Sequence, residues 1–179
     1  MAGMATTTAS PAPSVPQPLV EVAREYDADP EKLAGYAALL AVYGTAIGGF
    51  SLFLRRTGRR LPERIEPSDV VLLGAATFKL SRLISRDAVT GVVRAPFTTR
   101  RANARGPEVY DKPRGRGMRR AIGELLTCPF CVSQWLGTLL AGSFVVAPRA
   151  TRTAAAALTA VTVADVLQYG HTALQKAAD

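Results

Sequence analysis

Histidine occurs once and cysteine twice in 179 residues, so a histidine-based active site and a disulfide-stapled secreted module both lack the residues they need. Tryptophan also occurs once. Acids are the minority sign, 14 against 22 lysines and arginines, for a formal charge of +8. The chain has no Walker loop, GxGxxG fingerprint, HExxH zinc motif or kinase signature. Hydrophobic residues nevertheless make up 48%, which excludes a disordered chain or a collagen. They are not spread at the helix or strand spacing of a soluble domain. They gather in long uncharged stretches parted by densely charged connectors. The length suits one domain, and the partition indicates a small integral membrane protein.

Residues 1–18 are mostly Ala, Thr, Ser and Pro without charge, which reads as disorder and lacks the basic start of a signal peptide. Acids then dominate to Lys32, completing a tail over 1–32. Leu33 to Leu54 runs 22 residues without charge and stops at Arg55, Arg56, Arg59 and Arg60. About 20 such residues cross a hydrocarbon core of about 30 Å, so this is the first expected transmembrane helix. Ala37, Ala41, Gly44, Gly48 and Ser51 fall within about 80° of one another at 100° per residue. Such a small-residue stripe lets another helix backbone approach closely in lipid. A second uncharged stretch runs from Leu125 to Ala147, with Gly137 at the centre of its own small face. A third extends from Thr153 to about Ala173, broken by Asp165 and His171. The short 147–152 connector makes the last two a helical hairpin.

Residues 69–86 are less simple. Val70 to Leu73 begin like a span, yet Lys79, Arg82 and Arg86 share one helical face opposite Leu73, Ala76, Leu80, Leu83 and Ile84. This is either an interfacial helix or a short tilted span whose basic side chains snorkel. The 86–120 connector holds ten basic residues and three acids, and the 55–67 connector five arginines and two glutamates. With a surface helix, both connectors share one side, and the positive-inside rule gives three spans with the N-terminus outside. With 69–86 spanning, the connectors part and the larger one takes the cytoplasm, both termini with it. The expected fold is all-α: a membrane bundle of three to four transmembrane helices with a basic amphipathic connector.

The order of Phe78-Lys-Leu-Ser-Arg-Leu-Ile-Ser-Arg-Asp87, Arg94-Ala-Pro-Phe97 and Glu124-Leu-Leu-Thr-Cys-Pro-Phe-Cys-Val-Ser-Gln-Trp135 resembles a family of small bacterial membrane proteins, domain of unknown function 1360. Some of its Bacillus members are described as sporulation proteins. The resemblance covers about residues 69–170, within a membrane domain over 69–174, and leaves the tail and first span as an extension. It implies that 69–86 is a membrane helix and that both termini are cytoplasmic. It implies no reaction.

Cys128-Pro129-Phe130-Cys131 is the one constellation equipped for chemistry. Proline suits the first helical position, so Cys128 would cap a helix from Pro129 to about Ala147. The helix dipole would then lower its thiol pKa, with Cys131 the resolving thiol one turn on. Cys-Pro-aromatic-Cys is locally similar to glutaredoxin active sites, without a β-α-β pattern around it. Tetrahedral zinc or an iron–sulfur cluster needs four ligands, so a metal cofactor would require both cysteines of two chains. The third reading makes the cysteines compact packing residues, with no cofactor. Asp165, an acid near the end of the third stretch, either reaches the interface or faces the bundle or water with Gln134, Thr162 or His171 as partner.

The basic loop 86–120 would turn Arg94, Arg100, Arg101, Arg105, Arg119 and Arg120 toward anionic lipid headgroups, at about 1 kcal/mol per side chain near the surface. It lacks the interleaved aromatics of an RNA-binding module, so nucleic acid is not an expected partner. The function expected is a non-enzymatic, multi-pass component of the cell membrane. Its basic loop would contact lipid or a protein partner, and its small-residue faces would pack helices or a second copy. The alternative is a membrane-embedded thiol redox or metal-thiolate protein using Cys128 and Cys131.

Overall fold

The computed structural model describes residues 15–26, 29–101 and 108–178. Residues 1–14 and 27–28 of the expected tail, and Arg105 of the basic loop, lie outside them. Within the described part of the tail, Gln17–Glu25 form helix α1, which takes in the last two residues, 17 and 18, of the stretch expected to be disordered. Leu19, Val20 and Ala23 lie at helical spacing, and Ala23 is buried as α1 packs on the next helix.

The remaining helices are α2 (Pro30–Arg56), α3 (Pro67–Arg86), the single turn α4 (Gly91–Arg94), α5 (Gly117–Thr127), α6 (Pro129–Val146) and α7 (Pro148–Ala178). All four long helices begin at proline, whose missing N–H is no loss there. Asp29 caps α2 by accepting from the Glu31 amide at 2.9 Å. Two short antiparallel strands, β1 (Thr98–Arg100) and β2 (Asp111–Pro113), pair Thr98 with Pro113 and Arg100 with Asp111. Apart from this hairpin the described chain is all-α. Ala147 alone separates α6 from α7, so the hairpin connector is tighter than the expected 147–152.

Among the described residues, α2, α6 and α7 are long and apolar enough to cross a membrane. α3 is a full member of their bundle, packed along both α6 and α7. Four ties between α3 and α7 advance together along both helices, so these two run parallel: Asp69 to Arg152, Leu72 to Thr159, Ala75 to Thr162 and Lys79 to Asp165. α2 and α6 likewise advance together, from Tyr43 and Thr138 to Phe50 and Gly142. The 57–66 connector therefore sits at one end of the bundle with the α6–α7 turn, where Arg59 donates to the Val146 carbonyl at 2.7 Å. α4, the hairpin, α5 and the start of α6 sit at the other.

Burial is inverted relative to a water-soluble bundle. Asp69, Ser81, Ser85 and Thr151 are buried alongside Ala76 and Ala155, while Leu40, Phe53, Val71, Phe78, Leu139 and Leu167 point outward. An apolar exterior around a small and polar interior is what a hydrocarbon solvent selects. Gly137 lies against Thr77, its Cβ position 3.5 Å from the threonine methyl. A Cβ at Gly44 or Gly48 meets nothing within 4 Å among the described residues, so within this chain that stripe faces outward.

Candidate functional site

The end of the bundle that carries α4, the hairpin and α5 is a folded cap, not an open loop. Arg94 is its centre and is completely buried. Its Nε donates to Asp111 at 2.9 Å, one terminal nitrogen reaches the Ile84 carbonyl at 2.6 Å and Thr90 at 2.8 Å, and the other reaches the Asp87 carbonyl at 2.8 Å. These carbonyls are among those that the end of α3 leaves without helical partners. Arg94 therefore closes α3 and fixes the hairpin to it in one step, using the fork geometry only arginine supplies. The expectation that Arg94 faces lipid is corrected: it has no exposed surface.

The other arginines divide in two. Arg114 and Arg119 converge on the loop before β1, with Arg119 donating to the Pro96 carbonyl at 2.7 Å. Arg120 pairs with Glu124 at 3.2 Å. Arg100, Arg101, Lys112 and Arg116 are exposed on the outside of the cap. Arg82 is ion-paired to Glu108, and Arg86 lies 4.3 Å over the Tyr110 ring, so these two basic side chains of α3 are met by the cap.

α5 docks on the first turns of α2. A Cβ at Gly35 would lie 2.8 Å from the Ala121 methyl, and one at Gly123 only 2.5 Å from the Phe97 carbonyl oxygen, so both close approaches need glycine. Glu124 accepts from Tyr36 and Arg120 and faces Lys32 at 3.5 Å. Burial pushes its carboxyl up, but these hydrogen bonds and the Lys32 charge outweigh burial and hold it below the ordinary glutamate value.

Inside the bundle most buried polar side chains of the described residues are paired, the Ser85 hydroxyl on α3 being an exception. Asp165 meets Lys79 at 2.5 Å, which corrects the expected choice of Gln134, Thr162 or His171. Gln134 instead donates to the Tyr43 hydroxyl at 2.9 Å, and Thr162 bonds backbone carbonyls on α3 and α7. His171 is exposed on the far part of α7. Two oppositely charged residues in separate apolar stretches were the sequence signal for the Lys79–Asp165 pair. Asp111, one of three acids among ten basic residues, was the signal for the Arg94 partner.

Cys128 caps α6 with Pro129 at the first position. Its Sγ accepts from the Cys131 amide at 3.3 Å, and the two sulfurs are joined as a disulfide across a Cα separation of 5.3 Å. Cys131 and Phe130 are exposed, the latter at 87%. Trp135, one turn further on, packs edge-on against Tyr43 at 5.1 Å. Among the described residues no group of three or more His, Cys, Asp and Glu gathers as a metal site, so a metal here would still need ligands from a second chain.

The family model described as "Protein of unknown function (DUF1360)" matches residues 72–171, which run from the first turns of α3 through the cap to α7. The chain belongs to this family. The Sporulation protein YjcA of Bacillus subtilis (strain 168) is 35% identical over 86 residues, 46% of this chain and 73% of that protein. α1 and α2 precede the family region. No solved structure matches the chain.

Proposed function

We propose that the chain is a non-enzymatic protein of the plasma membrane with four spans, α3 among them, and that its cap lies on the cytoplasmic face against anionic lipid headgroups. The observation that carries this reading is the cap itself. It is a platform fixed by the buried Arg94–Asp111 pair, with Arg100, Arg101, Lys112 and Arg116 exposed at one end of a bundle whose exterior is apolar. Basic side chains carried on a folded backbone next to a bilayer attract anionic headgroups, and that backbone has no conformational freedom left to lose on contact. The positive-inside rule gives the sidedness, since the cap carries the larger excess of Lys and Arg. The relative's name assigns sporulation to that protein, and no named process is carried over here.

A photoactivatable phosphatidylglycerol in nanodiscs tests the contact. It should cross-link to peptides from residues 98–120, and Arg100→Gln with Arg101→Gln should cut the yield, as should high salt. Equal yield with a phosphatidylcholine probe would oppose the proposal.

The Cys128–Cys131 pair, with Cys131 exposed, supports a second reading, a membrane thiol couple. A dithiol donor would pass two electrons and two protons to the disulfide, giving two cysteine thiols and one oxidised donor. Alkylation before and after reduction, with metal analysis of the purified protein, tests it. Two thiols always reduced, equally slow and free of metal leave the cysteines as packing residues.

A further inference from the structure

α2 and α6 run side by side but meet through long side chains: Tyr43 on Thr138 and Gln134, and Phe50 against Gly142. Between them lies a cleft of about 990 Å³, at the top of the range of about 300–1,000 Å³ for ligand sites. Its walls are apolar, lined by Ala46 and Phe50 of α2 and by Leu139 and Gly142 of α6.

Its length limits the occupant. The cleft follows α6 from Trp135 to Val146, about 16 Å at the helical rise of about 1.5 Å per residue. That is half of a hydrocarbon core of about 30 Å, the depth of one leaflet. The Tyr43–Gln134–Thr138 hydrogen bonds close it in mid-bundle, so a partner helix crossing the whole bilayer would be stopped halfway. The small-residue face of α2 at Gly44 and Gly48 lies about 120° around the helix from the cleft, so close packing by a second copy would use a different surface.

Its charge identifies the rest. At the open end Leu61 and Ile65 line the cleft, and Arg59 is bound to the carbonyl of Val146, itself a lining residue. Arg55 and Arg56 in the last turn of α2, and Arg60 in the connector, are exposed close by in sequence. An apolar slot one leaflet deep, with guanidinium groups at its mouth, matches acyl chains below an anionic phosphate. We infer that this cleft binds one anionic glycerophospholipid, its chains between α2 and α6 and its phosphate at Arg59. The inference rests only on α2 and α6 crossing the bilayer, and not on which side the cap faces.

Native mass spectrometry of the full chain taken from mixed phosphatidylglycerol–phosphatidylcholine nanodiscs tests it. Wild type and Ala41→Trp, whose new ring points away from the cleft, should each retain one phospholipid, enriched in phosphatidylglycerol. Ala46→Trp fills the cleft and should lose it. Arg59→Gln should reduce the phosphatidylglycerol preference about fivefold, the loss of one basic contact near the surface. Wild type without retained lipid, or full retention in Ala46→Trp, overturns the inference. So does a lipid-free dimer that shields Ala46→Cys from alkylation. Recovery of the protein without detergent would instead sink the membrane reading itself, a separate outcome.

Discussion

Replacing Arg94 with methionine keeps an unbranched side chain of similar reach but removes every donor of the guanidinium. Asp111 would then be a carboxylate with 6% side-chain exposure and no countercharge, and the Ile84 and Asp87 carbonyls would lose their donors. Breaking a buried pair by removing one partner costs about 3–5 kcal/mol. That is a large share of a total stability of about 5–15 kcal/mol. The loss should be local, because Arg94 ties the cap to the end of α3 and touches neither α6 nor α7 in its hydrogen bonds. Hydrogen exchange of the full chain in nanodiscs reads this directly. The amides of Val109, bonded to the Arg86 carbonyl, and Arg114, bonded to the Phe97 carbonyl, should lose at least about 100-fold in protection, while α6 and α7 keep theirs. Adding Asp111→Leu should restore much of it, since no buried charge remains unpaired. Protection within tenfold of wild type in Arg94→Met, or a loss shared evenly with α6 and α7, would refute the role assigned to this pair.

Gly123→Ala should destabilise by about 1–3 kcal/mol through its clash with the Phe97 carbonyl, whereas Gly44→Ala should be neutral or mildly stabilising; thermal unfolding in detergent compares them. Lys79→Met leaves Asp165 unpaired between α3 and α7 and should lower the melting temperature, and the exchange Lys79→Asp with Asp165→Lys should recover most of the loss. Glu124 titrates below the unfolded value of about 4.3, so its contribution is complete above that pH and disappears as pH falls through the folded value. Exchange protection of α5 should therefore drop in acid, and Glu124→Gln should flatten that dependence.

Uncharged runs were enough to locate α2, α6 and α7, and the Cys-Pro pair marked the start of α6 to the residue. Residues 69–86 were ambiguous because Lys79, Arg82 and Arg86 look like an interfacial face until their partners are known. Asp165, Glu108 and Tyr110 lie 24 to 86 positions further along the chain, and no local periodicity encodes such a pairing. Arg94 was misread for the same reason. In a run of ten basic residues nothing local separates the one that is buried from those that are solvated. α1 was hidden by composition, since three apolar residues in a Pro-rich and acidic tail form a face only when α2 is present to cover it.

If α3 crosses the membrane within the bundle, as proposed above, it separates the 57–66 connector from the cap. Single cysteines at Glu63→Cys and Lys112→Cys, each in a Cys128→Ser, Cys131→Ser background, can be probed in intact cells with an impermeant maleimide. Glu63→Cys should label in intact cells, and Lys112→Cys only after permeabilisation. Labelling of both positions from the same side would contradict that crossing and return α3 to the membrane surface.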